Sequence, residues 1–176
     1  MDTQTIIQGI SGNCGDLARI GIITVSDRAS SGEYQDEGGP AILQFFKEAI
    51  VSPVEINYSC IADEQVMIER EIIRMCDDLG CSVVVTTGGT GPASRDVTPE
   101  ATAAVCNKIL DGFGEQMRAI SLQYVPTAIL SRQIGGIRGS SLVFNLPGRP
   151  KSIRETIDVI WRAVPDCCLL YTSPSP

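Results

Sequence analysis

Five consecutive β-branched residues, Val83 to Thr87 in the run SVVVTT, constrain the fold more than any other segment. The run shows no alternation of apolar and polar positions and is bounded by glycines, so both of its faces must be covered. A strand covered on both faces belongs in the middle of a parallel sheet, and parallel neighbours have to be joined by crossover helices. The flanking sequence supplies such units. Arg19–Ser26 (RIGIITVS) is a short apolar strand that ends in the polar loop DRASSGEYQDEGG, after which Pro40 opens a helical stretch, AILQFFKEAI, broken by Ser52 and Pro53. Val54, Ile56, Tyr58 and Cys60 alternate with polar residues as in a half-covered strand, and Asp63 stands beyond its end. Ile68, Ile72, Met75, Cys76 and Leu79 then fall on one stripe of a helix that Gly80 can close. After SVVVTT and the loop GGTGPASRD, Thr98 and Pro99 read as the cap and first-turn proline of a helix over PEATAAVCNKIL. Strand followed by helix has by then occurred three times. The expected fold is α/β: a doubly wound, mostly parallel sheet with helices on both faces, in a single domain.

The remainder fits that plan. EQMRAISLQY, preceded by Gly112 and Gly114, predicts a helix, and TAILSRQ a further turn. Ile134–Arg138 and Ser141–Asn145 predict two short strands around Gly139, NLPGRPKS a rigid loop, and SIRETIDVIWRAV a last amphipathic helix. The organisation expected is a flexible arm over residues 1–18, a domain over 19–166 and an atypical tail over 167–176.

Composition narrows the function. The chain of 176 residues contains no histidine, which removes Ser-His-Asp and Cys-His catalysis, imidazole bases and zinc sites that need a His ligand. Its seven cysteines, Cys14 and the vicinal Cys167 and Cys168 among them, include no C-x-x-C pair and mostly sit in apolar runs, the usage of a cytoplasmic protein. No apolar run reaches the roughly 18 residues of a membrane span, and no signal peptide is apparent. A net charge of −7 disfavours nucleic acid. The charge is uneven, with 6 basic and 16 acidic residues up to Asn107 against 8 and 5 from Lys108 on. Arg118, Arg132, Arg138, Arg149, Lys151 and Arg154 are therefore available to receive an anion.

In a doubly wound sheet, ligands bind beyond the carboxyl ends of strands, here the loops after Ser26, Ala62, Thr87 and Asn145. The loop after Thr87 places Gly88, Gly89 and Gly91 beside Thr90, Ser94 and Asp96, a composition whose backbone N–H groups can wrap a phosphate. It is not a Walker A loop, since Pro92 and Ala93 follow where Lys and Ser/Thr would be needed. Asp63 and Asp96 could each merely favour a helix start. Together beside a phosphate loop they provide what Mg²⁺ requires, one or two carboxylates with phosphate oxygens completing the shell. Asp27, Asp36 and Glu115 rank second, with turn or cap chemistry as their simplest role.

SDRASSGEYQDEGGP, TTGGTGPASRDVTPEA, GFGEQMRAIS, VPTAILSRQ and NLPGRPKSI, in register from Arg19 to Ile153, resemble the MogA family of molybdopterin adenylyltransferases. Its wider relatives include MoaB-type proteins and the G domain of gephyrin and of plant Cnx-type proteins. The resemblance implies a step of molybdenum cofactor biosynthesis: Mg²⁺-dependent transfer of AMP from ATP to the terminal phosphate of molybdopterin, giving adenylyl-molybdopterin and pyrophosphate. It implies Asp63 and Asp96 as the essential acidic pair and metal ligands. It implies a phosphate and nucleotide cradle of Thr87, Gly88, Gly89, Thr90 and Gly91 with Ser26 and Asp27. For the pterin it implies Glu115, Met117, Arg118, Ser121, Asn145, Pro147, Gly148 and Lys151. A homotrimer, and the molybdate-inserting enzyme as a partner, follow from the same resemblance. The alternatives are a molybdopterin-binding or scaffold protein of the MoaB type without catalysis, and a nucleotide-binding module indifferent to pterin.

Overall fold

In the computed structural model, the SVVVTT strand, β4 (Val83–Thr87), is buried at every residue. It lies between β2 (Ala18–Val25) and β7 (Ser141–Leu146), parallel to both. The structure describes residues 5–7, 18–50, 53–165 and 167–168. β3 (Val54–Ile61) extends the parallel set on the other side of β2. Antiparallel strands complete the edges: β6 (Gly135–Arg138) pairs with β7, and β5 (Lys108–Ile109) with β6. β1 (Thr5–Ile7), from within the N-terminal arm, pairs with β3, and the order across the sheet is β1-β3-β2-β4-β7-β6-β5.

Alternation along the central strands divides the core between two helical layers. Ile20, Ile22, Val83, Val85, Leu142 and Phe144 face α2 (Gly38–Ala49), α5 (Asp111–Leu122) and α6 (Pro150–Ile160), meeting Phe46, Met117 and Ile157. Ile23, Val25, Val84 and Val143 face α3 (Gln65–Ile73) and α4 (Thr98–Val105), meeting Ile68, Ile72 and Ala101. Each such aliphatic side chain contributes about 1.5–3 kcal/mol on burial, which is why the unalternating strands are central. The chain leaves β2 through the single turn α1 (Asp27–Ser30), crosses through α2 to β3, and returns through α3 to β4 on the opposite side of β2. The strand order therefore reverses between β2 and β4, and a crevice opens at their carboxyl ends.

Four local expectations are corrected. The helix begun at Thr98 ends at Val105, and Lys108–Ile109 instead pairs with Ile137 and Gly136, because the free edge of β6 offers partners for backbone groups that a longer helix would leave on the surface. Thr98 is the first helical residue and not the cap, which is Val97. α5 begins at Asp111, earlier than the two glycines suggested, because Phe113 stacks on Phe144 of the sheet, with centroids 5.8 Å apart. The stripe from Ile68 to Cys76 is buried as expected, but α3 passes at Arg74–Asp78 into a single π-helical turn. Cys168 is buried against the first core layer, whereas Cys14 and the tail beyond it lie outside the described residues.

Candidate functional site

At the switch point lies a cleft of about 450 Å³. Its walls come from the ends of β2, β3, β4 and β7: Thr24–Ala29, Tyr34 and Asp36–Gly38, then Asp63, Thr87–Gly89, Asp96, Gly148 and Pro150. The glycine loop forms one side. Gly88 and Gly89 have φ of 95° and 62°, the left-handed region, and a β-carbon on Gly88 would collide with the Val25 carbonyl oxygen. The loop is fastened to α4 by Thr98, whose hydroxyl donates to the Gly88 carbonyl at 2.9 Å and whose N–H donates to the Gly89 carbonyl at 3.1 Å. The side chain expected as a helix cap thus braces the glycine loop.

Register puts two of the acids together. Val25 pairs with Ile61 in the parallel β2–β3 ladder, so Asp27 and Asp63, each two residues further on, come side by side. The Asp27 N–H donates to the Asp63 carboxylate at 2.8 Å, and the Asp63 N–H donates to the Asp27 carboxylate at 3.0 Å. Asp63 is consequently no helix cap: α3 starts behind Glu64, and the Asp63 carboxyl turns to the cleft. Burial pushes the Asp63 carboxyl up, opposed by the Asp27 amide and reinforced by the Asp27 and Asp96 charges. Asp27 moves the other way, held down by the Asp63 amide and Arg95. The Asp96 carboxylate accepts from the Ala93 N–H at 3.0 Å and closes the loop on itself. Asp63 and Asp96, two carboxylates on the walls of one cleft that act on each other electrostatically, fit the donor set of Mg²⁺, which takes few protein oxygens and fills its shell from phosphate and water. Among the described residues no three Asp, Glu or Cys side chains converge as a complete cage.

Other predicted residues take different places. Ser26, Asp27, Asp63, Thr87, Gly88, Gly89, Asp96 and Gly148 line the cleft. Thr87 has its hydroxyl on the Pro147 carbonyl at 2.8 Å, tying the glycine loop to the NLPG loop. Thr90 and Gly91 turn their carbonyls to Arg132, the former to its N–H at 2.9 Å and the latter to its Nε at 2.8 Å. The α5 group, Glu115, Met117, Arg118 and Ser121, is not among the cleft walls. Met117 is wholly buried in the core and presents no surface to a ligand. Asn145 is also wholly buried, donating to the hydroxyls of Thr86 and Thr102 at 2.9 Å and accepting from the Ile134 N–H. Arg118 donates to the Gln133 carbonyl, and Lys151 is exposed beside Glu155. Asp36 accepts from the N–H groups of Gly38 and Gly39, the turn and cap chemistry expected of it, and also from Thr24 and Tyr58 hydroxyls.

The arginine among the cleft walls, Arg28, comes from the acidic half of the chain. Arg132, Arg138 and Arg154 are committed to Glu100, Asp77 and Glu48. The arginines at the site are Arg28, whose guanidinium lies 5.6 Å from the Tyr34 ring centroid, and Arg95, which bridges Asp27 and Glu64. Sequence reasoning missed both, as it missed Tyr34. The available signal was that two of only six basic residues before Lys108 adjoin predicted cleft acids, Asp27 and Asp96.

The chain is similar to several known proteins. The family described as "Probable molybdopterin binding domain" matches residues 21–165. The molybdopterin adenylyltransferase of Helicobacter pylori is 57% identical over 148 residues, covering 84% of each chain. That of Escherichia coli is 50% identical over 168 residues, covering 89% of this chain and 86% of the relative. Among solved structures, the molybdopterin biosynthesis enzyme MoaB of Thermus thermophilus superposes with a TM-score of 0.81 at 38% identity, over 89% of this chain and 97% of that one.

Proposed function

Because the chain belongs to the molybdopterin-binding domain family, we propose that it is a molybdopterin adenylyltransferase that moves AMP from ATP to molybdopterin in molybdenum cofactor biosynthesis. The observation that carries this reading is the cleft at the strand switch, where a left-handed glycine loop meets the Asp63 and Asp96 carboxylates. Identities of 57% and 50% to relatives named molybdopterin adenylyltransferase support catalysis over binding alone.

The reaction needs no imidazole. An oxygen of the molybdopterin phosphate, already an anion near neutral pH, forms a bond to the α-phosphorus of ATP. The bond from that phosphorus to the oxygen bridging to the β-phosphate breaks, and pyrophosphate leaves with the electron pair. Positioning and charge stabilisation dominate such transfers. Gly88 and Gly89 allow backbone to approach the polyphosphate, and Thr98 keeps that backbone from yielding. Ser26 and Asp27 border the nucleotide. We assign the pterin to the side bounded by Gly148 and Pro150, where Arg149 and Lys151 are exposed as counter-charges. Pro147 and Asn145 tie that side to the end of β4 through Thr87 and Thr86, and Met117 belongs to the core beneath the sheet. Mg²⁺, held by Asp63 and Asp96, would supply charge neutralisation on the phosphates and the leaving group.

Residues 19–166 are taken as the catalytic domain, supported by the match over 21–165. A homotrimer is supported by the exposed apolar run of Tyr124, Val125, Ile129 and Leu130, and a molybdate-inserting enzyme would receive the product. Light scattering at micromolar concentration tests the trimer, and a monomer would overturn it. The cytoplasm is the compartment proposed, supported by Cys60, Cys76, Cys81 and Cys106 being thiols; no helix among the described residues is long and apolar enough to cross a membrane. The function is tested by incubating purified protein with molybdopterin, ATP and Mg²⁺. Release of pyrophosphate, abolished by excess chelator, is expected. Molybdopterin binding without pyrophosphate release would establish the binding-only reading instead.

A further inference from the structure

We propose that Arg95 is a positioning residue for AMP transfer, fixing the loop that carries Asp96 against the loop that carries Asp63; this rests on the reading of the cleft given above. The Arg95 guanidinium reaches both oxygens of the Asp27 carboxylate, at 2.9 and 2.8 Å from Nη2, while Nη1 donates to Glu64 at 2.8 Å. The three residues follow three different strands: Asp27 follows β2, Glu64 follows β3 and Arg95 follows β4. Asp27 is also half of the reciprocal pair with Asp63, so a continuous chain of hydrogen bonds runs from Arg95 through Asp27 to Asp63. Arg95 is bonded directly along the chain to Asp96. On the opposite flank, Arg132 donates to the carbonyls of Gly91 and Asp96. The exposed segment from Pro92 to Ser94 thus lies between two arginine clamps, and the Arg95 clamp faces Asp63.

Stability does not account for this convergence. The side chains of Arg95, Asp27 and Glu64 are 53%, 45% and 55% exposed, and ion pairs so wetted add little to folding. What the arrangement does provide is geometry. A guanidinium offers a rigid fork to one carboxylate and a further N–H to a second, whereas an ammonium is a point charge that cannot hold both oxygens and a neighbour at set angles. If Arg95 acted only by its charge, lysine would replace it.

The experiment compares Arg95→Lys and Arg95→Gln with the wild type in the full chain. Three quantities are measured: pyrophosphate release, Mn²⁺ binding with a non-hydrolysable ATP analogue by electron paramagnetic resonance, and the thermal midpoint. Both variants are expected to lose about 10²-fold in kcat, the effect of an ångström-scale misplacement, with KM for ATP nearly unchanged. Mn²⁺ affinity should fall about tenfold in both, because two carboxylates that no longer converge bind a cation less tightly. The midpoint should hold within about 2 °C. Wild-type kcat and Mn²⁺ affinity in Arg95→Lys would overturn the proposal in favour of a charge role. Loss of kcat in step with a large fall in midpoint would overturn it in favour of a structural one. If the wild type itself releases no pyrophosphate, the proposed function fails, while the Mn²⁺ titration still decides whether Arg95 positions the acids.

Discussion

Replacing Gly88 by alanine tests whether the glycine loop is as rigidly backed as its packing indicates. The residue sits at φ 95°, and its new β-carbon would be driven into the Val25 carbonyl oxygen, a backbone atom of a strand buried between two others. Left-handed backbone costs a residue with a side chain about 1–2 kcal/mol. Overpacking against atoms that cannot rotate away adds about 1–3 kcal/mol. The sum, roughly 2–5 kcal/mol, corresponds to a fall of about 4–20 °C in thermal midpoint for a domain of this size. Gly139→Ala is the control: φ is 56°, but no atom lies within 4 Å of the added carbon, so only the conformational part, about 2–8 °C, should appear. Gly148→Ala, whose nearest contact is 3.5 Å, should be close to neutral in stability. The Gly88 carbonyl also accepts the Thr98 hydroxyl, so relief of the collision displaces the loop at that bond and AMP transfer should fall about 10²-fold. Calorimetry and pyrophosphate release on the same three preparations separate strain from collision. A Gly88→Ala protein as stable as Gly139→Ala with undiminished turnover would refute the claim that the loop has no room to move.

Asp96→Asn retains an oxygen to accept the Ala93 N–H, so its midpoint should stay within about 2 °C while AMP transfer falls about 10²–10³-fold. Near-normal turnover with a lowered midpoint would make Asp96 a loop brace only. Asn145→Ala should cost about 1–3 kcal/mol in denaturant unfolding, since it removes a buried acceptor from the Ile134 N–H and a donor from two buried threonine hydroxyls; an unchanged midpoint would show that the hub is dispensable. Burial pushes the thiols of Cys76 and Cys106 up to about 11 and that of Cys81 up to about 12. A pKa raised in the folded state stabilises below the unfolded value, near 9, and that stabilisation is lost as pH climbs through the folded value. The thermal midpoint should therefore fall from pH 9 towards 11, and these thiols should resist iodoacetamide at pH 8 until the chain unfolds; rapid native labelling would contradict their burial.

The parts of this molecule legible in its sequence are those that depend on one strand or helix at a time. The uniform apolarity of Val83–Val85 implied helices on both faces, and the stripe from Ile153 to Val164 implied a buried helix face, because each pattern records which side of a single element meets water. The acids Asp63 and Asp96 could be found in the same way, as polar residues in the loops that follow strands. Their partners could not. Asp27 meets Asp63 across 36 residues and Arg95 meets Asp27 across 68, and neither meeting has a local signature. Each follows from the register of parallel neighbours, which is settled by side-chain packing over the whole sheet. The residues that the resemblance implies on α5 have no local signature of this kind, and of these Met117 packs in the same core layer as Phe144. Charge was a partial guide for a related reason. The basic second half suggested an anion-binding face, and Arg149 and Lys151 remain exposed beside the cleft, yet Arg132, Arg138 and Arg154 each found an acid from the first half once the two were folded together. Net charge along a chain constrains the field of the folded protein only where the ion pairs that cancel it are already known.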